Sequence, residues 1–261
     1  MRITLKKIIK AIVPYGIIFL WRRRKKSPSI SYDGTYPDPR YYAPHYYGGD
    51  GEDVLLRLFC GGRDKSDKKG FYVDIGAFHP FTYSNTQFFY EVGWNGINID
   101  ANPDCIVLFN KHRRRDININ AGVSDKCGEL EFYSFLEPAL NSFDRELSQS
   151  RIESGMRLKD RLIVKVYTIN QLLEKYLPVG QHITFMTIDV EGYEMKILQS
   201  LDFKKYAPDY FIVEDLDSQY DDFMDFRNSP LYIFLKSKSY VVIAKTRLSI
   251  LFKNISKQCC D

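Results

Sequence analysis

Two acidic residues, Asp74 and Asp100, each stand at the end of a short apolar segment in the first half of the chain. The segments that contain them, 71–75 and 96–100, have the composition of buried strands, and one helix fits between the two segments. Such a strand–helix–strand unit binds its ligand at the carboxyl edge of the sheet, so both carboxylates should face one crevice. We therefore expect a ligand that offers a cation to one carboxylate and the hydroxyl groups of a ribose to the other.

The turn after the first strand distinguishes two kinds of nucleotide ligand. A dinucleotide pyrophosphate requires several glycines, as in G-x-G-x-x-G, whereas here Gly76 stands alone and Asp74 would repel a phosphate. S-adenosyl-L-methionine has no phosphate and carries a sulfonium, an α-ammonium and a ribose diol. Asp74 suits its cationic methionine end, Gly76 lets the backbone approach it, and Asp100 can accept both ribose hydroxyls. The alternative is an ordinary crossover in which the two aspartates only cap helices.

Further cofactor contacts are predicted around the same strand ends. Asn85 follows a probable helix N-cap, Ser84, where the positive helix end favours the carboxylate of the cofactor. The segment 120–124 ends the third strand, beside the expected adenine site. The predicted cofactor-binding residues are Asp74, Gly76, Ala77, Asn85, Asp100, Ala101 and Ser124.

A second group of acids follows two later strands. Asp189 and Glu191 stand in the segment T-I-D-V-E-G-Y-E, directly after an apolar strand, and Glu214 ends the next strand. One of these carboxylates could act as a general base towards an acceptor hydroxyl. Alternatively, Asp189, Glu191 and Glu214 could hold a divalent cation such as Mg²⁺ or Mn²⁺. Helix capping is the remaining interpretation, and it is favoured for Glu194.

His79, in the segment G-A-F-H-P, is the third candidate catalytic residue beside Asp189 and Glu191. Histidine titrates near neutral pH, so His79 could accept a proton from the acceptor. It could equally cap the loop that Pro80 holds, and both roles stay open.

The composition excludes some classes of function. The chain has 261 residues, and its 37 basic residues outnumber its 33 acidic ones. Nine of the basic residues lie in 1–26, so the rest of the chain is mildly acidic and is not expected to bind nucleic acid. The basic run 111–115 is interpreted as the solvated end of a helix. The five cysteines show no metal-ligand spacing, which indicates free thiols in a reducing, cytoplasmic compartment.

Residues 1–26 are predicted to associate with a membrane. Their apolar part, 11–21, is far shorter than the roughly 20 residues that span a bilayer, and basic clusters flank it on both sides. This pattern is typical of an interfacial anchor on an anionic cytoplasmic leaflet, with a core-packed or domain-swapped terminal helix as the alternative. Residues 27–69 are predicted as an irregular linker with a short helix near 53–60.

Residues 70–261 form the main predicted domain, in which strands alternate with helices. This alternation predicts an α/β fold with a doubly wound, mostly parallel Rossmann-like sheet. A last strand at 249–254 can pair antiparallel with its predecessor, 129–135 is an additional strand, and the polar insertion 136–161 is a candidate lid. The other predicted strands are 71–75, 96–100, 117–123, 183–189, 209–214 and 240–245, and the predicted helices are 84–92, 103–112, 168–176, 193–200 and 229–237.

Taken together, the motifs resemble the FkbM-type methyltransferase family. The resemblance covers roughly 70–254 and rests on V-D-I-G-A, S-N-T, G-W-N-G-I-N-I-D-A-N-P, N-A-G-V-S-D and I-D-V-E-G-Y-E in that order. It implies a class I fold, S-adenosyl-L-methionine bound by Asp74, Gly76 and Asp100, and O-methylation, commonly of a sugar hydroxyl. Asp189 and Glu191 occupy the D-x-E-G motif of the family, whereas no family role carries over to His79.

The resemblance and the basic N-terminal segment together predict an O-methyltransferase at the inner face of the membrane. Its acceptor is expected to be a surface polysaccharide or a lipid-linked glycan, and residues 1–26 are expected to contact the anionic membrane surface. Two alternatives remain at this point: a non-catalytic membrane-associated interaction module, and a nucleotide-dependent oxidoreductase that the missing glycines disfavour.

Overall fold

The computed structural model of the chain describes residues 46–61, 69–216 and 225–256. The predicted membrane-association segment 1–26 lies outside these residues, as do parts of the predicted linker 27–69. Within the described residues, no helix has both the length and the apolar character needed to cross a membrane.

Helices and strands alternate along the described chain. The helices are α1 Glu52–Cys60, α2 Gln87–Glu91, α3 Pro103–His112, α4 Arg145–Glu153, α5 Ile169–Tyr176, α6 Glu194–Ser200, α7 Phe203–Tyr206 and α8 Pro230–Ser237. The strands are β1 Phe71–Ile75, β2 Asn95–Asp100, β3 Ile117–Asn120, β4 Gly122–Ser124, β5 Gly128–Phe135, β6 Leu158–Thr168, β7 Phe185–Ile188, β8 Tyr210–Glu214, β9 Tyr240–Lys245 and β10 Ser249–Asn254. Short 3-10 helices occupy Pro138–Leu140 and Asp225–Asn228.

A seven-stranded sheet with the order β3-β2-β1-β7-β8-β10-β9 forms the centre of the fold. Strands β3, β2, β1, β7 and β8 are parallel, and β10 pairs antiparallel with both β8 and β9. The predicted mostly parallel sheet and its antiparallel last strand are therefore confirmed. The carboxyl ends of β1, β2, β7 and β8 meet at one edge, which is where such sheets bind ligands.

Both faces of this sheet are covered, as parallel strands require. All five residues of β1 are buried, so the alternation of hydrophobic and polar residues seen in half-exposed strands is absent there. On one face, Phe89 of α2 packs against Trp94 and Phe185, with ring centroids 4.8 Å apart in both pairs. On the other face, Leu173 of α5 and Leu198 of α6 lie in a second apolar cluster.

Local sequence signals start two of the helices on that sheet. Asn102 caps α3 by accepting a hydrogen bond from the backbone N–H of Asp104 at 3.0 Å, and Pro103 fits the first helical turn. Thr168 and Gln171 form a reciprocal capping box at the start of α5. These signals lie where the sequence predicted the helices to begin.

A second sheet with the order β4-β6-β5 corrects two predictions. The predicted strand 117–123 is two strands in different sheets, because the backbone turns at Ala121 to donate a hydrogen bond to the carbonyl of Asp100 at 3.0 Å. The predicted insertion 136–161 also ends early, since β6 begins at Leu158 and pairs antiparallel with β5. The first half of β6 contains charged and exposed residues, so its sequence lacks the alternation of hydrophobic and polar residues that predicts a strand.

Candidate functional site

A cavity of about 480 Å³ opens at the carboxyl edge of the central sheet. Its volume lies within the range of small-molecule sites, roughly 300–1,000 Å³. One half is mainly apolar around Asp100, and the other half is acidic. The apolar half includes Ile99, Ala101, Cys105, Ala121, Gly122, Val123, Phe132 and Phe143, and the acidic half includes Asp50, Glu52, Asp189, Glu191 and Glu214.

The turn after β1 joins the two halves through Gly76. A Cβ atom at this position would lie 1.7 Å from the carbonyl oxygen of Asp189, and the φ of Gly76 is +81°. Only glycine fits both conditions. The backbone N–H of Asp189 in turn donates to the carbonyl of Ile75 at 3.0 Å. The two sequence motifs are therefore in direct backbone contact.

Asp100 lies at the end of β2, in the wall of the apolar half. Its carboxylate accepts hydrogen bonds from the backbone N–H groups of Phe78 at 2.8 Å and Asn102 at 2.7 Å, one on each oxygen. Each oxygen keeps a second lone pair for a ligand hydroxyl. Burial raises the pKa of Asp100 to about 6, although the two backbone donors oppose the shift. The neighbouring Ala101 also lines the cavity.

Asp74, the other predicted anchor, is 4% exposed and is not among the residues that line the cavity. Its carboxylate accepts a hydrogen bond of 2.9 Å from the hydroxyl of Thr86, the residue that directly precedes α2. Burial raises its pKa to about 7, against the effects of Thr86 and the nearby Arg113. In this structure Asp74 fixes the loop before α2 from behind the cavity wall.

The loop before α2 brings one predicted contact residue into the wall. Asn85 lines the cavity and donates a hydrogen bond to the hydroxyl of Thr187 at 3.0 Å. Ala77 is buried and lies outside the wall, and Ser124 is buried with its hydroxyl bonded to Asp125 at 3.0 Å. The end of the third predicted strand instead reaches the cavity through 121–123.

His79 caps its own loop and does not line the cavity. Its Nδ1 accepts hydrogen bonds from the backbone N–H groups of Phe81 at 3.2 Å and Thr82 at 3.1 Å. Burial, together with the charge of His112, lowers the pKa of His79. Of the two roles left open by the sequence, the geometry supports the loop cap.

Arg113 corrects the interpretation of the basic run 111–115. The guanidinium is fully buried, whereas Arg114 and Arg115 are exposed. It donates to the carbonyl of Pro80 at 3.0 Å and to the hydroxyl of Ser84 at 3.1 Å, so it holds the loop that presents Asn85. Its counter-charge is Asp116, 3.6 Å away. Nothing in the sequence distinguishes Arg113 from its basic neighbours.

Three carboxylates converge in the acidic half: Asp189, Glu191 and Glu214. One oxygen of each lies within 4.8 Å of the others. Asp189 is open to the cavity, while Glu214 is 6% exposed. Desolvation inside the cavity and the negative charges of the neighbouring acids raise the pKa values of Asp189 and Glu214 well above their usual range. Like charges this close favour a shared proton or a bound cation.

The loop that carries Glu191 is held from two sides. Glu191 has a φ of +57°, an unusual conformation for a residue other than glycine. Its carbonyl accepts a hydrogen bond from the hydroxyl of Ser142 at 2.6 Å, and its carboxylate forms an ion pair with Arg151. Glu194 lies in the first turn of α6 and accepts hydrogen bonds from the backbone N–H groups of Val190 at 2.9 Å and Gly192 at 3.0 Å. Both donors precede the helix, so Glu194 braces this loop and does not cap α6, contrary to the prediction.

Two further parts of the wall come from segments in which the sequence motifs predict no site residue. The first is Glu52, the first residue of α1, which is buried beside the acids. Its carboxylate accepts hydrogen bonds from the hydroxyls of Thr246 at 3.1 Å and Ser249 at 3.3 Å. In the sequence Glu52 is an ordinary first-turn helix acid. The second part is Leu147 and Arg151 of α4, from the predicted insertion.

Comparison with known families identifies the class of protein. The family model described as the methyltransferase FkbM domain matches residues 74–242, a span that runs from the end of β1 into β9 and includes Asp100, Asp189 and Glu214. This match covers more than half of the chain, so the chain belongs to the FkbM methyltransferase family. The predicted membership of this family is thereby confirmed. No curated protein matches the chain.

Two solved structures match this chain at low identity. The first is the methyltransferase FkbM from Methylobacillus flagellatus KT, with 10% identity and a TM-score of 0.44 over 83% of this chain and 50% of that one. The second is a putative rRNA-methylase from Clostridium thermocellum, with 12% identity and a TM-score of 0.40 over 78% of this chain and 93% of that one. This chain therefore spans half the length of the first structure.

The buried guanidinium of Arg113 gives a stability prediction. Arg113→Met removes the donors that hold the loop before α2 and leaves Asp116 without its buried counter-charge. We expect a loss of about 3–5 kcal/mol in the free energy of unfolding, measured by urea denaturation. Arg114→Met is the matched control and should change stability by less than about 0.5 kcal/mol, because Arg114 is exposed. Equal stability of the two variants would contradict the assignment.

Proposed function

We propose that this protein is an S-adenosyl-L-methionine-dependent O-methyltransferase whose acceptor is a sugar hydroxyl of a surface polysaccharide or a lipid-linked glycan. The observation that supports it is the contact of Gly76 with the carbonyl of Asp189. This contact places a wall suited to the donor next to a wall of carboxylates. Methyl transfer requires such adjacency, because the sulfonium methyl must meet the acceptor oxygen in line.

The donor fits the apolar half of the cavity in one orientation. Asp100 retains two lone pairs for the ribose hydroxyls. The apolar side chains of Val123 and Phe132 offer surfaces for the adenine. The methionine end then extends over Gly76 towards Asn85, with Asp74 contributing through the loop that it supports.

The acceptor is proposed to bind in the acidic half. Carboxylates accept hydrogen bonds and donate none when ionised, so a cavity rich in them suits a ligand with several hydroxyl donors. As the O–CH₃ bond forms and the S–CH₃ bond breaks, the hydroxyl proton of the acceptor must leave. Asp189 is open to the cavity and is the better proton acceptor, since Glu191 is already paired with Arg151.

Donor binding is the first test of this proposal. Asp100→Ala should weaken the binding of S-adenosyl-L-methionine by about 1.5–3 kcal/mol, the value of hydrogen bonds to a charged group, as measured by calorimetric titration. Unchanged affinity in this variant, or a preference of the wild type for NAD, would contradict the proposal that S-adenosyl-L-methionine is the donor.

The pH dependence of donor binding checks the same residue. The raised pKa of Asp100, about 6, means that the carboxylate is protonated below pH 6 and accepts the ribose hydroxyls less well. Affinity should therefore rise with pH through about 6, with a change of up to roughly tenfold per pH unit below it. Asp100→Asn should flatten this dependence. An identical pH profile in the variant would show that another group titrates.

Turnover tests the acceptor side separately from the donor side. Asp189→Asn keeps the shape of the side chain and removes its charge, so turnover with labelled donor and a cell-envelope glycan extract should fall roughly 10²–10⁴-fold. Donor affinity should change much less. Near-normal turnover in this variant would contradict a role of Asp189 as proton acceptor and leave it only a structural role.

We also propose that the enzyme is cytoplasmic and is held on the inner face of the membrane by residues 1–26. Nine basic residues and no acid occur in that segment. Each basic residue near an anionic surface contributes roughly 1 kcal/mol at low salt, and the apolar part 11–21 adds contact with the lipid. A membrane position would bring the enzyme to a lipid-linked acceptor.

Vesicle co-sedimentation tests the membrane proposal. The full chain should bind vesicles that contain phosphatidylserine more strongly than neutral phosphatidylcholine vesicles, and added salt should weaken this binding. Deletion of 1–26 should abolish it. Equal binding to both kinds of vesicle, or no effect of the deletion, would count against a membrane anchor.

A further inference from the structure

We infer that Asp189, Glu191 and Glu214 form a binding site for one divalent cation in the acidic half of the cavity. The three carboxylates come from two adjacent strands of the sheet: Asp189 and Glu191 follow β7, and Glu214 ends β8. One oxygen of each lies within 4.8 Å of the others. Oxygens on opposite sides of a bound Mg²⁺ or Ca²⁺ are about 4–5 Å apart, so small side-chain rotations bring all three into contact with one ion.

The state of Glu214 points to a ligand more directly than the spacing does. This side chain is 6% exposed and lines the cavity. Its Oε2 atom has no donor group as a hydrogen-bond partner among the described residues. The side chain's partner is another acid, Asp189, which can share a hydrogen bond with it only when one of the two carboxyls is protonated. A buried carboxylate oxygen without a donor costs free energy comparable to a lost charged hydrogen bond, roughly 1–3 kcal/mol or more. A cation in the cavity would supply the missing partner.

Glu52, a buried acid in the same cavity, differs from Glu214 because both of its carboxylate oxygens have hydrogen-bond donors. Both oxygens of Glu52 accept hydrogen bonds, from the hydroxyls of Thr246 and Ser249 and from the backbone of Asp50 at 2.8 Å. Glu52 therefore needs no ion. The contrast between Glu52 and Glu214 restricts the proposed site to the three acids at the ends of β7 and β8.

Arg151 competes with a cation for the carboxylate of Glu191. Its guanidinium pairs with Glu191 from α4, so one of the three carboxylates already has a counter-charge. Asp189 and Glu214 remain, and a divalent ion between them would also lie within reach of the second oxygen of Glu191. Hard oxygen ligands of this kind select Mg²⁺, Mn²⁺ or Ca²⁺ over metals that prefer nitrogen or sulfur.

The role of the ion in the reaction rests on the proposed function. Three carboxylate oxygens leave about half of the positions around a six-coordinate ion open. Two neighbouring hydroxyls of a sugar could fill them, and the ion would make the reacting hydroxyl more acidic. With Asp189 bound to the ion, the proton of that hydroxyl would pass to water, in place of Asp189, as the methyl group is transferred. The binding of the ion itself depends on the three acids alone.

Mn²⁺ binding without donor or acceptor tests the site, so that its outcome is independent of methyl transfer. The full chain should bind about one Mn²⁺, detected as loss of the electron paramagnetic resonance signal of the free ion, and Mg²⁺ should displace it. Glu214→Gln should weaken binding at least tenfold, because even partners in the outer coordination shell contribute 10–100-fold. Glu174→Gln, at an exposed position on α5, is the matched control and should bind like the wild type.

Two results would overturn the inference. The wild type could fail to bind Mn²⁺ at millimolar concentration, which would mean that Asp189 and Glu214 share a proton instead. Alternatively, Glu214→Gln could bind Mn²⁺ as well as Glu174→Gln does. Circular dichroism of each variant establishes that it is folded, and Asp189→Asn, at an exposed position, provides a second variant if Glu214→Gln does not fold.

Discussion

The contact between Gly76 and the carbonyl oxygen of Asp189 is the constraint on which the site depends. Strands β1 and β7 are neighbours in the sheet, and the chain leaves both at the same edge, so the two turns compete for one small volume. Glycine resolves the competition because it has no Cβ and tolerates a positive φ. A side chain at position 76 would separate the apolar half of the cavity from the acidic half.

Other contacts fix the loops that flank this central contact and complete the acidic half of the cavity. Arg113 fixes the loop before α2, Ser142 and Arg151 fix the loop that contains Glu191, and Glu52 adds a buried acid from α1. The positive φ of Glu191 fits this picture, since unfavourable backbone conformations persist where surrounding contacts over-determine them. The predicted insertion is therefore part of the cavity wall in this structure.

The sequence predicts what is local and periodic, and it fails where a role depends on distant contacts. Asp100, Gly76 and Asp189 could be found because each follows a strand with a clear apolar pattern. The burial of Arg113 could not, since its partners Pro80 and Ser84 come from a loop 29 or more residues away. The role of Glu52 is even harder to predict from the sequence, because the hydroxyls that donate to it lie almost 200 residues further along the chain. Strand β6 was hidden for another reason: its first half is exposed, so burial imposes no hydrophobic pattern on it.

Under the proposed function, charge explains why an acidic half beside the donor needs compensation. The sulfonium is positive before transfer and neutral afterwards, so a nearby uncompensated carboxylate stabilises the bound donor more than the transition state. Such binding slows the chemical step. Arg151 neutralises Glu191, and Glu52 has hydroxyl and backbone donors around it, which leaves Asp189 and Glu214 as the acids that matter most. A proton shared between these two, or a divalent cation, would remove this penalty, and only the cation would also activate the acceptor oxygen. The electrostatics of the donor thus favour the same occupant that the unsatisfied oxygen of Glu214 indicates.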